Sequence, residues 1–252
     1  DTASGLLCEH LGNPIPASYM CVPMIVQGEM LGILHLGAAP SGAGQPDGRP
    51  AWLTESKQRL AVTMTEHVAL ALANLRLREI LRDQATRDPL TGLFNRRYME
   101  ETLEREVRRS ARKERKMALL MLDMDNFKRI NDLLGHEAGD ALLAAVGGYL
   151  RTHVRQEDIA CRYGGDELVV ILPETPLEMA LRRAEELREG IKLVTVEHRS
   201  QILGPETVSL GVAAFPEHGT TGEELLRSAD AAMYRAKARG RDRVEAATRA
   251  DG

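Results

Sequence analysis

The chain has 252 residues, room for one large domain or for a small domain followed by a medium one. Hydrophobic residues make up 43%, enough for a buried core, and no apolar run approaches the roughly 20 residues that would span a bilayer. The formal net charge of -4 excludes a chain that binds polyanions, nucleic acid among them, over its whole surface, so any phosphate site must be a local cluster of Lys and Arg.

Residues 1 to about 37 read as β structure. Tyr19 to Val26 and Met30 to Leu36 are short apolar runs, and the polar stretch Gln27-Gly28-Glu29 between them predicts a β-hairpin. Ala38 to Pro50, rich in Gly, Pro, Ser and Ala, predicts a loop. From Leu53 to Ala85 there is no Pro or Gly. Ala61, Met64, Val68, Ala71 and Leu75 recur there at helical spacing, and Leu70, Leu77 and Ile80 form a second stripe. A helix with apolar residues on two sides has two faces to bury. One side would cover the hairpin and the other would meet a second copy. A heptad seam through Leu60, Met64, His67, Ala71, Asn74, Arg78 and Leu81 is polar in places; packing within its own domain is the plainer alternative.

Beyond it helices and strands alternate. Helices are predicted over Asn95 to Lys113, Asp140 to Val154, Leu177 to Lys192 and Gly222 to Arg239. Strands are predicted over Met117 to Asp123, Ile159 to Tyr163, Glu167 to Leu172 and Val208 to Phe215, with a short edge strand at Arg243 to Ala246. Gly164-Gly165 reads as a tight turn between the second and third of these. The pattern predicts an α/β sandwich on one central, mostly antiparallel sheet.

Asp123 and Asp125 leave the end of an apolar strand, where a carboxylate reaches a cleft instead of the core. Asp166 and Glu167 follow the Gly-Gly turn. If the two strands are neighbours, three or four carboxylates converge, and a cation is needed to relieve their repulsion. Oxygen ligands suit Mg²⁺, which binds one or two carboxylates together with substrate phosphates. Taken alone, Gly-Gly-Asp-Glu is also what a solvated hairpin carries; Asp123-Met124-Asp125-Asn126-Phe127-Lys128 upstream sharpens the signal. No Gly-rich Lys-Ser/Thr loop exists for phosphates.

Arg162-Tyr163-Gly164-Gly165-Asp166-Glu167-Leu168 resembles the signature of the GGDEF family of diguanylate cyclases. So do Asp88-Pro89-Leu90-Thr91-Gly92-Leu93-Phe94-Asn95-Arg96-Arg97, Asp123 through Asp132, Gly135-His136-Glu137-Ala138-Gly139-Asp140, and Ala229 through Lys237 with Gly240-Arg241. The resemblance covers about Asp88 to Ala246. It implies a cytoplasmic, Mg-dependent homodimer that condenses two GTP molecules into cyclic di-GMP, with two ions per site and Mn able to substitute. It implies metal ligands at Asp123, the carbonyl of Met124, Asp166 and Glu167, with Asp166 or Glu167 as the base. Asn131 and Asp140 would read guanine, whose N1-H and amino donors adenine lacks. Asn126, Phe127, Lys128, Lys237 and Arg241 would hold the triphosphate. Without the family pattern, Asn131 and Asp140 read as helix caps and Lys237 and Arg241 as a basic helix end. The family's final Phe is Leu168 here, expected on the core face opposite Glu167.

Arg155 and Asp158 match the family's Arg-x-x-Asp site, where the product cyclic di-GMP inhibits; a further Arg there is open among Arg182, Arg183 and Arg188. A surface ion pair is the plain alternative. The domains expected are a segment over 1–52 that resembles the C-terminal half of a GAF sensor, a signalling helix over 53–87, and the GGDEF domain over 88–252. A catalytically weak cyclic di-GMP receptor is the alternative function. The cysteines Cys8, Cys21 and Cys161 form no C-x-x-C pair and suit free thiols in a reducing cytoplasm, and the absence of a signal-peptide pattern together with an opening Asp1 reads as a piece of a longer chain.

Overall fold

In a computed structural model the described residues are 18–38, 54–199 and 201–248. The chain divides into two compact units, residues 1–82 and 83–252. Cys8 and the expected loop over 38–50 lie, but for Ala38, outside the described residues.

In the first unit, strands β1 (Ser18–Val26) and β2 (Glu29–Ala38) form an antiparallel hairpin. Gln27 and Gly28 both adopt positive φ, +52° and +85°, as a two-residue primed turn requires. Helix α1 (Glu55–Thr86) begins in this unit. Its most buried stripe is Ala61, Thr65 and Ala69, one residue per turn. Met64, Val68 and Leu75 of the expected stripe are exposed in the single chain. Small residues let a helix lie close to its neighbour, and a two-stranded hairpin is too narrow to cover a wider face.

In the second unit, a six-stranded sheet has the order β10-β9-β4-β6-β5-β3. Its strands are β3 (Phe94–Asn95), β4 (Met117–Met124), β5 (Ile159–Gly164), β6 (Glu167–Leu172), β9 (Val208–Phe215) and β10 (Val244–Ala246). The central pairings are antiparallel, and the outer pairs β10–β9 and β3–β5 are parallel. A separate small hairpin joins β7 (Val196–His198) to β8 (Gln201–Leu203).

Every residue of β4 and β9 is buried, so these strands read as continuous apolar runs covered on both faces. On one face, Leu120, Leu122, Leu168 and Val170 pack with residues of α4 (His136–His153) and α5 (Leu177–Ile191) and with Ile130 of α3 (Phe127–Leu134). On the other, Leu119, Met121, Val169 and Ile171 pack with α2 (Arg96–Lys113) and α6 (Gly222–Ala238). Leu168 is fully buried on the face opposite Glu167, as the strand alternation predicts. Gly211 of β9 admits α6 closely: a Cβ there would lie 2.0 Å from the carbonyl oxygen of Ala229. Local signals set the helix ends. The Asn95 side chain caps α2 by accepting from the Tyr98 N–H at 3.0 Å, and Thr221 and Glu224 form a capping box on α6.

Three elements were not expected from sequence: β3, α3 and the β7–β8 hairpin. Each is short, from two to eight residues, and leans on tertiary partners more than on its own periodicity. Helix α4 starts at His136, which places Asp140 inside the helix instead of at its cap.

Candidate active site

The antiparallel register sets Asp123 of β4 directly between Glu167 of β6 and Ser209 of β9. The expectation that the two acid-bearing strands are neighbours is met. Asp123 points to the α6 face, where the Lys237 ammonium approaches its Oδ2 at 2.7 Å. Burial, seconded by the negative charges of Asp166 and Glu167 and opposed by Lys237, pushes the Asp123 carboxyl up to about 6. Glu167 is also raised, by burial first and then by Asp230 and Asp166, while Lys237 and Arg96 oppose. Asp230, on α6, joins this acidic group without having been singled out from sequence; its helical spacing from Lys237, seven residues on, is the signal that was there to use.

Asp125 does not converge with these acids. It is 1% exposed, and its carboxylate accepts from Thr207 Oγ1 at 2.7 Å, Ser209 Oγ at 2.7 Å and the Asp242 N–H at 3.0 Å. Its oxygens are spent inside the protein, so it ties strand ends together instead of facing a cleft. Among the described residues no three His, Cys, Asp or Glu side chains gather closely enough to hold a metal ion by themselves. Asp123 with its neighbours across the register still suits Mg²⁺, which takes one or two protein carboxylates and completes its shell with water and phosphate oxygens. The lysine beside Asp123 shows that this carboxylate accepts a cation. Met124, the last residue of β4, pairs with Val208, with its side chain in the core.

The Gly-Gly turn is held from outside. Gly165 takes φ +50°, and the β5–β6 register shifts between Arg162 and Gly164. Arg162 donates through Nε to the Gly165 carbonyl at 2.9 Å and through Nη1 to Asp88 Oδ2 at 3.2 Å. Asp88 also accepts from the Thr91 N–H and hydroxyl, at 2.8 and 2.7 Å. Burial works to raise the Asp88 carboxyl, but the Thr91 and Arg162 contacts together hold it below its usual range. The guanidinium of Arg96 lies over the Tyr163 ring at 4.3 Å.

A notch forms between α3 and α4. Asn126 enters α3 in a left-handed conformation, φ +58°, and Phe127 and Lys128 begin the helix. The Asn131 side chain lies over Gly139, where a Cβ would stand 1.9 Å from its Oδ1 and 3.1 Å from the edge of the Phe127 ring. That Oδ1 is buried and has no hydrogen-bond partner. Asp140, exposed, follows Gly139 on α4. A buried acceptor left unpaired is costly unless a ligand supplies the donor. Arg241, exposed, follows α6 in a left-handed turn, its N–H donating to the Ala236 carbonyl at 3.1 Å.

At the other candidate site, Asp158 is 8% exposed and accepts from the Arg155 N–H at 2.9 Å and from Arg183 Nη2 at 3.4 Å. Burial raises its carboxyl against these contacts. The Arg155 side chain is exposed. Of the three arginines left open from sequence, Arg183 is the one at Asp158; Arg182 is exposed, and Arg188 is bound to Glu185, Glu189 and Asp242.

The family described as "Diguanylate cyclase, GGDEF domain" matches residues 85–243, more than half of the chain. The chain belongs to the GGDEF family. It is 46% identical over 166 residues to Diguanylate cyclase DgcP of Pseudomonas aeruginosa, covering 66% of this chain and 24% of that protein. It is 44% identical over 162 residues to Response regulator PleD of Caulobacter vibrioides, covering 64% of this chain and 36% of that protein. The chain thus spans only about a quarter to a third of these relatives. Its structure is similar to the coiled coil and GGDEF domain of DgcB from Caulobacter crescentus, solved in complex with c-di-GMP: TM-score 0.65, 32% identity, 77% of this chain and 100% of that one. The GGDEF match begins two residues after the boundary between the compact units. Among the described residues no helix is long and apolar enough to cross a membrane.

Proposed function

We propose that this chain is the catalytic part of a diguanylate cyclase, joining two GTP molecules into cyclic di-GMP. The observation that carries the reading is the register of Asp123 against Glu167 beside Lys237, in a chain of the GGDEF family. Each GTP offers its 3′-hydroxyl to the α-phosphorus of the other. Two phosphodiester bonds form, two pyrophosphates leave, and each hydroxyl proton passes to Asp166 or Glu167. Burial and the neighbouring acids raise the Glu167 carboxyl, which suits it to accept a proton.

Asp123, the Met124 carbonyl, Asp166 and Glu167 would hold Mg²⁺, two ions per site or Mn²⁺ in their place, which when bound neutralises phosphate charge. Asn131 and Asp140 orient guanine, with the unpaired Asn131 Oδ1 ready to accept from it. Lys128, Arg241 and the N–H groups of Asn126 and Phe127 hold the triphosphate. Lys237, which rests on Asp123, would supply a further cation for the phosphates. One GTP per subunit requires two copies facing each other. Arg155, Asp158 and Arg183 form the product site, in keeping with the DgcB domain solved in complex with c-di-GMP. Residues 1–52 serve as a partial GAF-like sensor segment, and 53–87 as the helix that transmits its state to the domain over 88–252.

The test is incubation with GTP and Mg²⁺, with cyclic di-GMP and pyrophosphate quantified beside an Asp166→Asn control. Product from the parent and its loss in the control support the reading. A folded dimer, stripped of bound cyclic di-GMP, that makes no product while still binding cyclic di-GMP would point instead to a receptor module.

A further inference from the structure

Three residues outside glycine adopt left-handed backbone around one buried carboxylate: Asn126 at φ +58°, Arg241 at +60° and Asp242 at +46°. The carboxylate is Asp125, adjacent to Asn126 and hydrogen-bonded to the Asp242 N–H at 3.0 Å. Consecutive left-handed residues with side chains are disfavoured, and they persist only where the surroundings over-determine them. The tethers here are specific. The Arg241 N–H donates to the Ala236 carbonyl, closing the end of α6. The Asp242 carboxylate is gripped on its far side by Arg188 Nη1 and by Lys192 Nζ, the latter at 2.7 Å. Arg188 is 8% exposed, unusual for arginine, and Glu185 and Glu189 on its own helix hold its remaining nitrogens.

We infer that Arg188 of α5 is a positioning residue for Arg241: by clamping Asp242, it fixes the turn that aims Arg241 at the substrate's phosphates. This rests on the proposed role of Arg241. Arg188 is placed to act on the phosphate site through Asp242, the residue it grips, which directly follows Arg241 in the chain. Asp125 completes the device, fastening the same turn to the strand end that bears Asp123. The clamp therefore sets the basic side of the site relative to the acidic side.

The experiment compares binding of α,β-methylene-GTP and of guanosine, with Mg²⁺ present, in four proteins: parent, Arg188→Met, Arg241→Ala, and the double variant. Asp242→Asn, which keeps a left-handed preference while weakening the grip, repeats the comparison should Arg188→Met fail to fold by circular dichroism. Arg188→Met is expected to weaken the nucleotide about tenfold, the usual scale for one charge-assisted contact, and to leave guanosine unchanged. In the Arg241→Ala background the same substitution is expected to change neither ligand, since residues acting through one group are not additive. An equal loss in both backgrounds, or a matching loss for guanosine, overturns the inference and leaves the role of Arg241 standing. If Arg241→Ala itself binds the nucleotide as the parent does, both the role of Arg241 and the inference fall.

Discussion

Asp123 shows how one side chain's surroundings set a condition on the chemistry. Its carboxyl is pushed up to about 6, above the ordinary 3.8, chiefly by burial. The folded value exceeds the unfolded one, so in the metal-free chain Asp123 favours folding below pH 3.8 and loses that contribution as pH rises through about 6. A divalent cation reverses the preference, because it binds the ionised form. Mn²⁺ affinity measured by calorimetry should therefore fall as pH drops below about 6, with proton release on binding in that range. The Asp123→Asn variant should lose most of the affinity and the Asp123 share of this dependence. Asp125, two residues on, illustrates the limit of reading acids by spacing: the sequence places both at one strand end, but only the fold shows that Thr207, Ser209 and Asp242 fill the oxygens of the second.

At the level of elements, α3 and α4 meet at a glycine. Gly139 is inside a helix, where alanine would ordinarily be preferred by about 1 kcal/mol. Its missing Cβ makes room for Asn131, whose Oδ1 would stand 1.9 Å from it. Gly139→Ala should leave thermal stability nearly unchanged, propensity offsetting the crowding, while GTP affinity falls about tenfold as Asn131 is displaced from guanine. Equal affinity in the variant would remove Asn131 from the guanine site. This notch was legible in sequence only as a motif, Gly135 through Asp140, not as a helix pair. The strands were more legible, because β4, β6 and β9 are near-continuous apolar runs bounded by polar or turn residues. Helix α3 has eight residues and β3 two, and such pieces exist through contacts that no local pattern encodes. For α1 a wide apolar stripe was legible, and the buried part in the single chain is the narrower line of Ala61, Thr65 and Ala69.

At the level of the molecule, the proposed reaction needs two copies, and the exposed Leu60, Met64, Leu75, Leu77 and Leu81 of α1 leave apolar surface for a second chain. Specific activity should fall on dilution, in parallel with the dimer fraction measured by sedimentation. Activity independent of concentration down to a demonstrated monomer would exclude the two-chain site.

The two sides of the site are also separated in time. Asp123 and Glu167 leave the ribosome well before Lys237 and Arg241, and the Arg241–Asp242 turn precedes β10, which closes the edge of the sheet beside β9. Until that segment emerges, the nascent domain carries Asp123 without Lys237, the ammonium that lies against it. If Lys237 and Arg241 hold the triphosphate as proposed, the growing chain would complete that site only as its fold is being completed.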